Sequence, residues 1–185
     1  AYQGLGDGLD EDAYGVRMMA DRLPELVVAS SCSKNFGLYR ERTGSITFIT
    51  ETPEQADIVA AQSMSVARQI YSMPPAHGAL LVSLILGDTQ LRANWEMELT
   101  EVRTRIQSMR SLLADNIQQN TARVDFSHIK HQKGMFSFLG LNTAQLDQLR
   151  EEFAIYIVSS SRVNLAGINS SNINYLSDSI ISVLK

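Results

Sequence analysis

The chain has 185 residues, 44% hydrophobic and 19% charged, enough for one large folded domain or two small ones with real cores. A formal charge of -4 argues against nucleic acid as the main partner, because phosphate backbones are held by basic faces. The single Cys32 excludes an internal disulfide and makes a reducing cytoplasm the expected setting, and no apolar run is long enough to predict a membrane span.

No cleavable leader pattern opens the chain. Ala1 falls directly inside the patterned stretch AYQGLGDGLDEDAYG, so the sequence is expected to be a piece of a longer protein, cut on its N-terminal side. From Asp10 to about Leu23 apolar and charged residues alternate at a helical period, and Pro24 ends the run. ELVVASS predicts a short buried strand opening onto small polar residues, and GSITFIT predicts the next strand. TPEQADIVAAQSMSVARQIYS begins with Thr52 as N-cap, Pro53 at the first helical position and Gln55 in the capping-box position, which predicts a helix to about Tyr71. The prolines of SMPPAHG break the helical pattern, and GALLVSLILG, apolar all round, predicts a buried helix.

Leu91, Trp95, Leu99, Val102, Ile106, Met109 and Leu113 step by three or four along one stripe, predicting a helix from about Thr89 to Gln118. Such a helix is a rod of roughly 45 Å, long enough to join two domains. After it come short strand-like segments, MFSFLG, IYIVSS and RVNLAG, and two amphipathic helical segments, NTAQLDQLREEFA and SSNINYLSDSIISVL. The expected organisation is an α/β portion over residues 1–100 and a small α+β domain over 101–185, with the boundary inside the helix at about 89–118.

The chemistry-bearing stretch is SSCSKNFGLYRERTG. Lys34 stands among small hydroxyl residues, where an amine has room to attack a carbonyl, and Arg42 carries a fork suited to phosphate. Singly, each residue has a plainer reading: Arg162 as a surface arginine, Phe136 as a core aromatic, Arg68 as part of a solvated helix face, Tyr2 as a frayed end. His77, His128 and His131 lack metal-ligand spacing, so no metal is expected. GLGDG does not follow the dinucleotide fingerprint.

SCSKNFGLYRERTG resembles the lysine signature of the class I pyridoxal-phosphate aminotransferases, most closely the aspartate and aromatic amino acid subgroup. AYQGLGDGLDEDAYGVR, IYSMPPAHGA, NWEMELTEVRTRIQSMR, GMFSFLGL and SSRVNLAGIN resemble that subgroup in order and spacing, over essentially the whole chain. The resemblance implies the C-terminal part of a large cofactor-binding α/β domain, followed by a small α+β domain. It implies a transaminase exchanging an amino group between an L-amino acid, aspartate or an aromatic one, and a 2-oxo acid such as 2-oxoglutarate. Lys34 would form the internal aldimine with pyridoxal 5'-phosphate and shuttle the substrate proton. Tyr2 would hydrogen-bond the phenolic oxygen of the cofactor, while Ser31 and Arg42 would bind its phosphate. Arg162 would clamp the substrate α-carboxylate beside Phe136. Arg68 and Ser72 would reach across a homodimer interface, Arg68 to a side-chain carboxylate and Ser72 to the neighbouring cofactor.

Three departures from the subgroup stand out. Thr43 replaces an aliphatic residue, Met73 a small polar one before the prolines, and the aspartate that salt-bridges the pyridine nitrogen, expected just before AYQG, is not within the chain. The 185 residues alone are therefore expected to lack turnover. The alternative from another class is a non-catalytic interaction module that keeps part of the dimer surface, distinguished by the absence of cofactor colour. Between aspartate and aromatic substrates, PPAHG leans toward aspartate and Arg68 serves both.

Overall fold

The capping chemistry of Thr52-Pro53-Glu54-Gln55 is realised in the computed structural model, which describes residues 1–121 and 124–184. Thr52 Oγ1 accepts a hydrogen bond from Gln55 N at 3.3 Å, and Gln55 Oε1 accepts one from Thr52 N at 3.2 Å. Two otherwise orphaned N–H groups are thereby satisfied, and the helix runs over Pro53–Tyr71. Thr52→Ala is expected to cost about 1 kcal/mol of stability, read as a lowered urea midpoint at unchanged slope.

The elements in chain order are α1 (Leu9–Asp12), α2 (Tyr14–Arg22), β1 (Leu26–Ser31), β2 (Gly44–Ile49), α3 (Pro53–Tyr71), α4 (His77–Gly87), α5 (Thr89–Asn120), β3 (Phe136–Phe138), α6 (Thr143–Phe153), β4 (Arg162–Asn164) and α7 (Ile173–Val183). The chain divides into two compact units. One comprises Ala1–Gly4 and Gly8–Leu99, the other Leu5–Asp7 and Thr100–Lys185, so the sequence passes from one to the other within α5. The mixed helix and strand content is that of an α/β protein.

In the first unit the helical run expected over Asp10–Leu23 is two helices, meeting at Ala13. Leu23 is extended, as a residue before proline prefers. β1 and β2 pair antiparallel, from Leu26↔Ile49 to Ser31↔Gly44. Two expectations fail here. β1 is not a buried strand, since Val27 is 59% exposed, and α4 is not a buried helix, since Leu80 and Leu84 are more than 60% exposed. The physical reason is the same for both. β1 has a single ladder neighbour, and the apolar surfaces of β1 and α4 are not covered within the unit. Asp88 ends α4 and caps α5, its Oδ1 accepting from Gln90 N and Leu91 N at 2.9 Å.

The second unit has a continuous core. Ile106, Leu113 and Ile117 of α5 are fully buried against Phe126, Ile129, Leu149 and Leu165, with Ile173 and Ile180 of α7. Leu91 and Val102, on the same predicted stripe, remain about 40% exposed. β3 and β4 form a ribbon of three pairs, Phe136↔Asn164, Ser137↔Val163 and Phe138↔Arg162. α6 starts on a second capping box, Asn142 with Gln145. The strand expected at IYIVSS is absent: Ile155 and Ile157 pack on the core and Tyr156 faces out, but the segment has no ladder partner. Among the described residues no helix is long and apolar enough to cross a membrane, and no cluster of His, Cys, Asp and Glu could hold a metal.

Candidate active site

Where β1 ends, the ladder closes with Cys32 N donating to Thr43 O at 2.9 Å, and the residues between form a loop. Gly37 N donates to Lys34 O at 3.1 Å and Leu38 N to Cys32 O at 3.3 Å, so Lys34 sits at the head of a tight turn. α5 anchors this turn. Trp95 Nε1 donates to Asn35 O at 2.8 Å, and the Trp95 ring stacks on Phe36 with centroids 4.5 Å apart. The backbone just after Lys34 is therefore held by a helix, and the backbone before it by the bond from Cys32 to Thr43.

The Lys34 amine lies 5.0 Å from the Tyr39 ring centre and 5.6 Å from that of Tyr2. No carboxylate pairs with it among the described residues. Aromatic faces attract an ammonium by about 0.5–1 kcal/mol when exposed, so the amine is oriented by the rings alone. Ser31 Oγ bonds to Ser33 Oγ at 2.9 Å and accepts from Ser33 N at 3.2 Å, which places two hydroxyls just before the lysine. Burial pushes the Cys32 thiol pKa up, against a role as nucleophile and in keeping with packing.

Arg42 adopts φ +50, a left-handed conformation that costs a non-glycine residue about 1 kcal/mol. Its Nη1 donates to Tyr39 O at 3.0 Å, tying it to a loop residue that flanks the lysine. Neighbours hold the bend. His77 Nδ1 is 2.9 Å from Glu41 Oε2, and a Cβ on Gly78 would collide with Thr43 Oγ1 and Glu41 Cβ. Gly44 is equally constrained, since a Cβ there would strike the Ser30 carbonyl oxygen. Thr43, a departure from the subgroup pattern, thus has a packing role against the start of α4.

The first unit brings Tyr2, Lys34 and Tyr39 together, with Ser31 and Arg42 on the same loop and its flanks. Arg68 and Ser72 stand apart, exposed at the C-terminal end of α3, and their side chains form no hydrogen bond or ion pair among the described residues. In the second unit the Arg162 guanidinium lies 4.5 Å from the Phe136 ring centre. The ladder explains this: the two are diagonal neighbours on one face of the ribbon. Sequence reasoning missed Tyr39 as the second ring on Lys34, and it read Trp95 only as part of an apolar stripe. As the sole tryptophan, with a donor that needs a partner when half-buried, Trp95 carried a signal that periodicity does not register.

Residues 1–180 match the family model of the class I and II aminotransferases. Over 184 residues the chain is 53% identical to an aspartate aminotransferase of Haemophilus influenzae, covering 100% of this chain and 46% of that protein. It is 44% identical over 183 residues to an aromatic-amino-acid aminotransferase of Pseudomonas aeruginosa, covering 99% of this chain and again 46% of the relative. Among solved structures, the aromatic-amino-acid aminotransferase of Burkholderia pseudomallei, covalently bound to pyridoxal phosphate, superposes with a TM-score of 0.97 at 43% identity, over 100% of this chain and 46% of that one. A psychrophilic aromatic amino acid aminotransferase of Psychrobacter sp. B6, cocrystallised with aspartic acid, gives 0.96 at 41% identity, over 100% of this chain and 46% of that one. The chain therefore spans about half the length of the relatives it matches. With the lysine loop, its anchors and these matches in agreement, the chain belongs to the class I and II aminotransferase family.

Proposed function

We propose that this chain supplies the lysine-bearing, C-terminal part of a pyridoxal-phosphate-dependent aminotransferase acting on aspartate, with aromatic amino acids as further substrates and 2-oxoglutarate as amino acceptor. The observation that carries the reading is a half-buried lysine amine beside two tyrosine rings, with no carboxylate partner among the described residues. The donor set fits the cofactor. An amine for the aldehyde, the hydroxyls of Ser31 and Ser33 and the guanidinium of Arg42 for a phosphate monoester, and a Tyr2 phenol for a ring oxygen are all donors or cations. Pyridoxal phosphate, when bound, supplies a ring that accepts the electron pair left as the substrate loses its α-proton.

Lys34 holds the cofactor and, once displaced by substrate, takes the proton at the α-carbon and returns it on the other side of the exchange. Ser31 and Arg42 hold the phosphate, and Tyr2 donates to the ring oxygen. Arg162 forks the substrate α-carboxylate, with Phe136 packed against its guanidinium face. Arg68 and Ser72 serve the neighbouring subunit of a homodimer, Arg68 taking the side-chain carboxylate of a dicarboxylic substrate. Their unengaged side chains support this, as does the apolar surface beside them, where Met64 and Ile70 are each about 70% exposed. The single cysteine supports a cytoplasmic setting.

The test compares the full-length protein carrying this chain with the 185 residues alone, each supplied with pyridoxal phosphate. The full-length protein is expected to convert L-aspartate and 2-oxoglutarate to oxaloacetate and L-glutamate in a coupled spectrophotometric assay, and the isolated chain is expected to show no sustained turnover. Absence of turnover of both aspartate and phenylalanine by the full-length protein, with cofactor bound, overturns the proposal.

A further inference from the structure

Two arginines of α5, within NWEMELTEVRTRIQSMR but given no role by the resemblance, grip the ribbon carrying Phe136 and Arg162. At about 100° per residue, Met109, Leu113, Ile106 and Ile117 occupy an arc of about 80° on the helix, and Arg105 and Arg110 border it on opposite sides. Arg105 is exposed at the margin of the buried face, whereas Arg110 lies within it, between Ile117 and the buried Ala114. Arg105 Nη1 donates to Ile168 O and Nη2 to Ala166 O, both at 3.0 Å, holding the turn that leaves β4. Arg110 Nε donates to Ser137 Oγ at 3.1 Å and its Nη2 to Gly134 O, holding the bend that enters β3 and the strand itself. Leu165 N donates to Met135 O at 2.8 Å, so the two gripped segments are also tied to each other.

Arg110 is the less ordinary of the pair. It is 2% exposed, and both groups it serves are neutral. Burial lowers its pKa, yet a guanidinium stays protonated in a protein interior. A buried cation without a counter-ion is a poor stabilising device, because desolvation consumes what the bonds return. What a rigid fork does well is fix two acceptors at a set separation. Here those acceptors bracket Phe136, whose ring carries Arg162.

We propose that Arg105 and Arg110 are positioning residues for substrate binding, clasping the β3–β4 ribbon from both ends so that Arg162 stays stacked on Phe136 with its fork in one orientation. This rests on the reading of Arg162 as the carboxylate-binding arginine. The test uses the full-length holoenzyme and four proteins: wild type, R105Q, R110K and R162A. Lysine in place of Arg110 keeps the charge but replaces the rigid two-nitrogen fork with a single rotatable ammonium.

R110K is expected to raise KM for L-aspartate about tenfold and R105Q about threefold, with kcat within about twofold in both. A purely structural role lowers Tm and leaves KM unmoved, so a depressed Tm with native KM in R105Q and R110K overturns the inference. If R110K does not fold, R105Q decides alone, since Arg105 is an exposed residue, and an unchanged KM there counts against the clasp. R162A separates the two readings. If it leaves KM unchanged, the assignment of Arg162 itself fails; if it raises KM while R105Q and R110K do not, only the clasp fails.

Discussion

Replacing Lys34 with alanine in the full-length protein is expected to lower transaminase turnover by at least about 10⁴-fold, while Tm stays within a few degrees of wild type. The two halves of that expectation come from one feature. The amine has no ion pair and no hydrogen bond among the described residues, only two tyrosine faces. Its removal therefore forfeits about 0.5–1 kcal/mol of cation–ring attraction and strands no partner. The backbone around it does not depend on the side chain, because Asn35 O is held by Trp95 and the turn by Gly37 N. What is lost is an amine, a group that becomes both a nucleophile and a base by shedding a proton. K34R tests the distinction between charge and nucleophilicity, since arginine keeps the cation and does not deprotonate; it is expected to be as inactive as K34A. The independent readout is spectroscopic. Wild-type holoenzyme should absorb in the visible, and borohydride should fix the cofactor on the peptide containing Lys34, with both signals lost in K34A. Turnover within tenfold of wild type in K34A removes Lys34 from the mechanism.

Much of the architecture around that lysine is written locally. The helix Pro53–Tyr71 begins where Thr52 and Gln55 satisfy each other's backbone and ends just before two prolines, so its bounds follow from four or five adjacent residues. The hold on the lysine loop is less local, because Gly44 and Gly78 are required by contacts with Ser30, Glu41 and Thr43 that the sequence did not reveal. Coverage is not local. GALLVSLILG reads as apolar on all faces and is so, yet Leu80 and Leu84 are exposed, because composition reports what a segment prefers and not what lies against it. IYIVSS shows the complementary error. Its alternation correctly sends Ile155 and Ile157 inward and Tyr156 outward, but alternation does not supply a ladder partner, and the ribbon nearby uses only three residue pairs. Arg110 was invisible for a third reason. A cation in a helical pattern reads as a solvated position, and nothing within a turn of it reveals that Ser137 and Gly134, more than twenty residues onward, supply its acceptors.

Arg162→Ala is the second large expected effect: kcat/KM should fall about 10³-fold for both aspartate and phenylalanine, because both carry the same α-carboxylate. The direction of Arg162 is set by Ser161. This residue is buried in a left-handed conformation, φ +61, with Leu141 N donating to its Oγ at 2.9 Å and Leu139 N to its carbonyl at 3.0 Å. A strained residue held on two sides aims its successor, and its successor is Arg162. The side chain then lies over Phe136 at 4.5 Å, which uses one face of the guanidinium and leaves the planar edge of the fork without a carboxylate among the described residues. A stacked and aimed fork with no acid partner is disposed to bind a carboxylate bidentately, at about 2–5 kcal/mol for a desolvated charge pair, which is the origin of the expected factor. R162K keeps the charge and loses the fork, so its kcat/KM should sit between wild type and R162A. Arg68 provides the contrast. A side-chain carboxylate is present in aspartate and absent in phenylalanine, so R68A should depress kcat/KM for aspartate alone. Equal losses for the two substrates in R68A, or a loss confined to aspartate in R162A, exchange the roles assigned to these arginines.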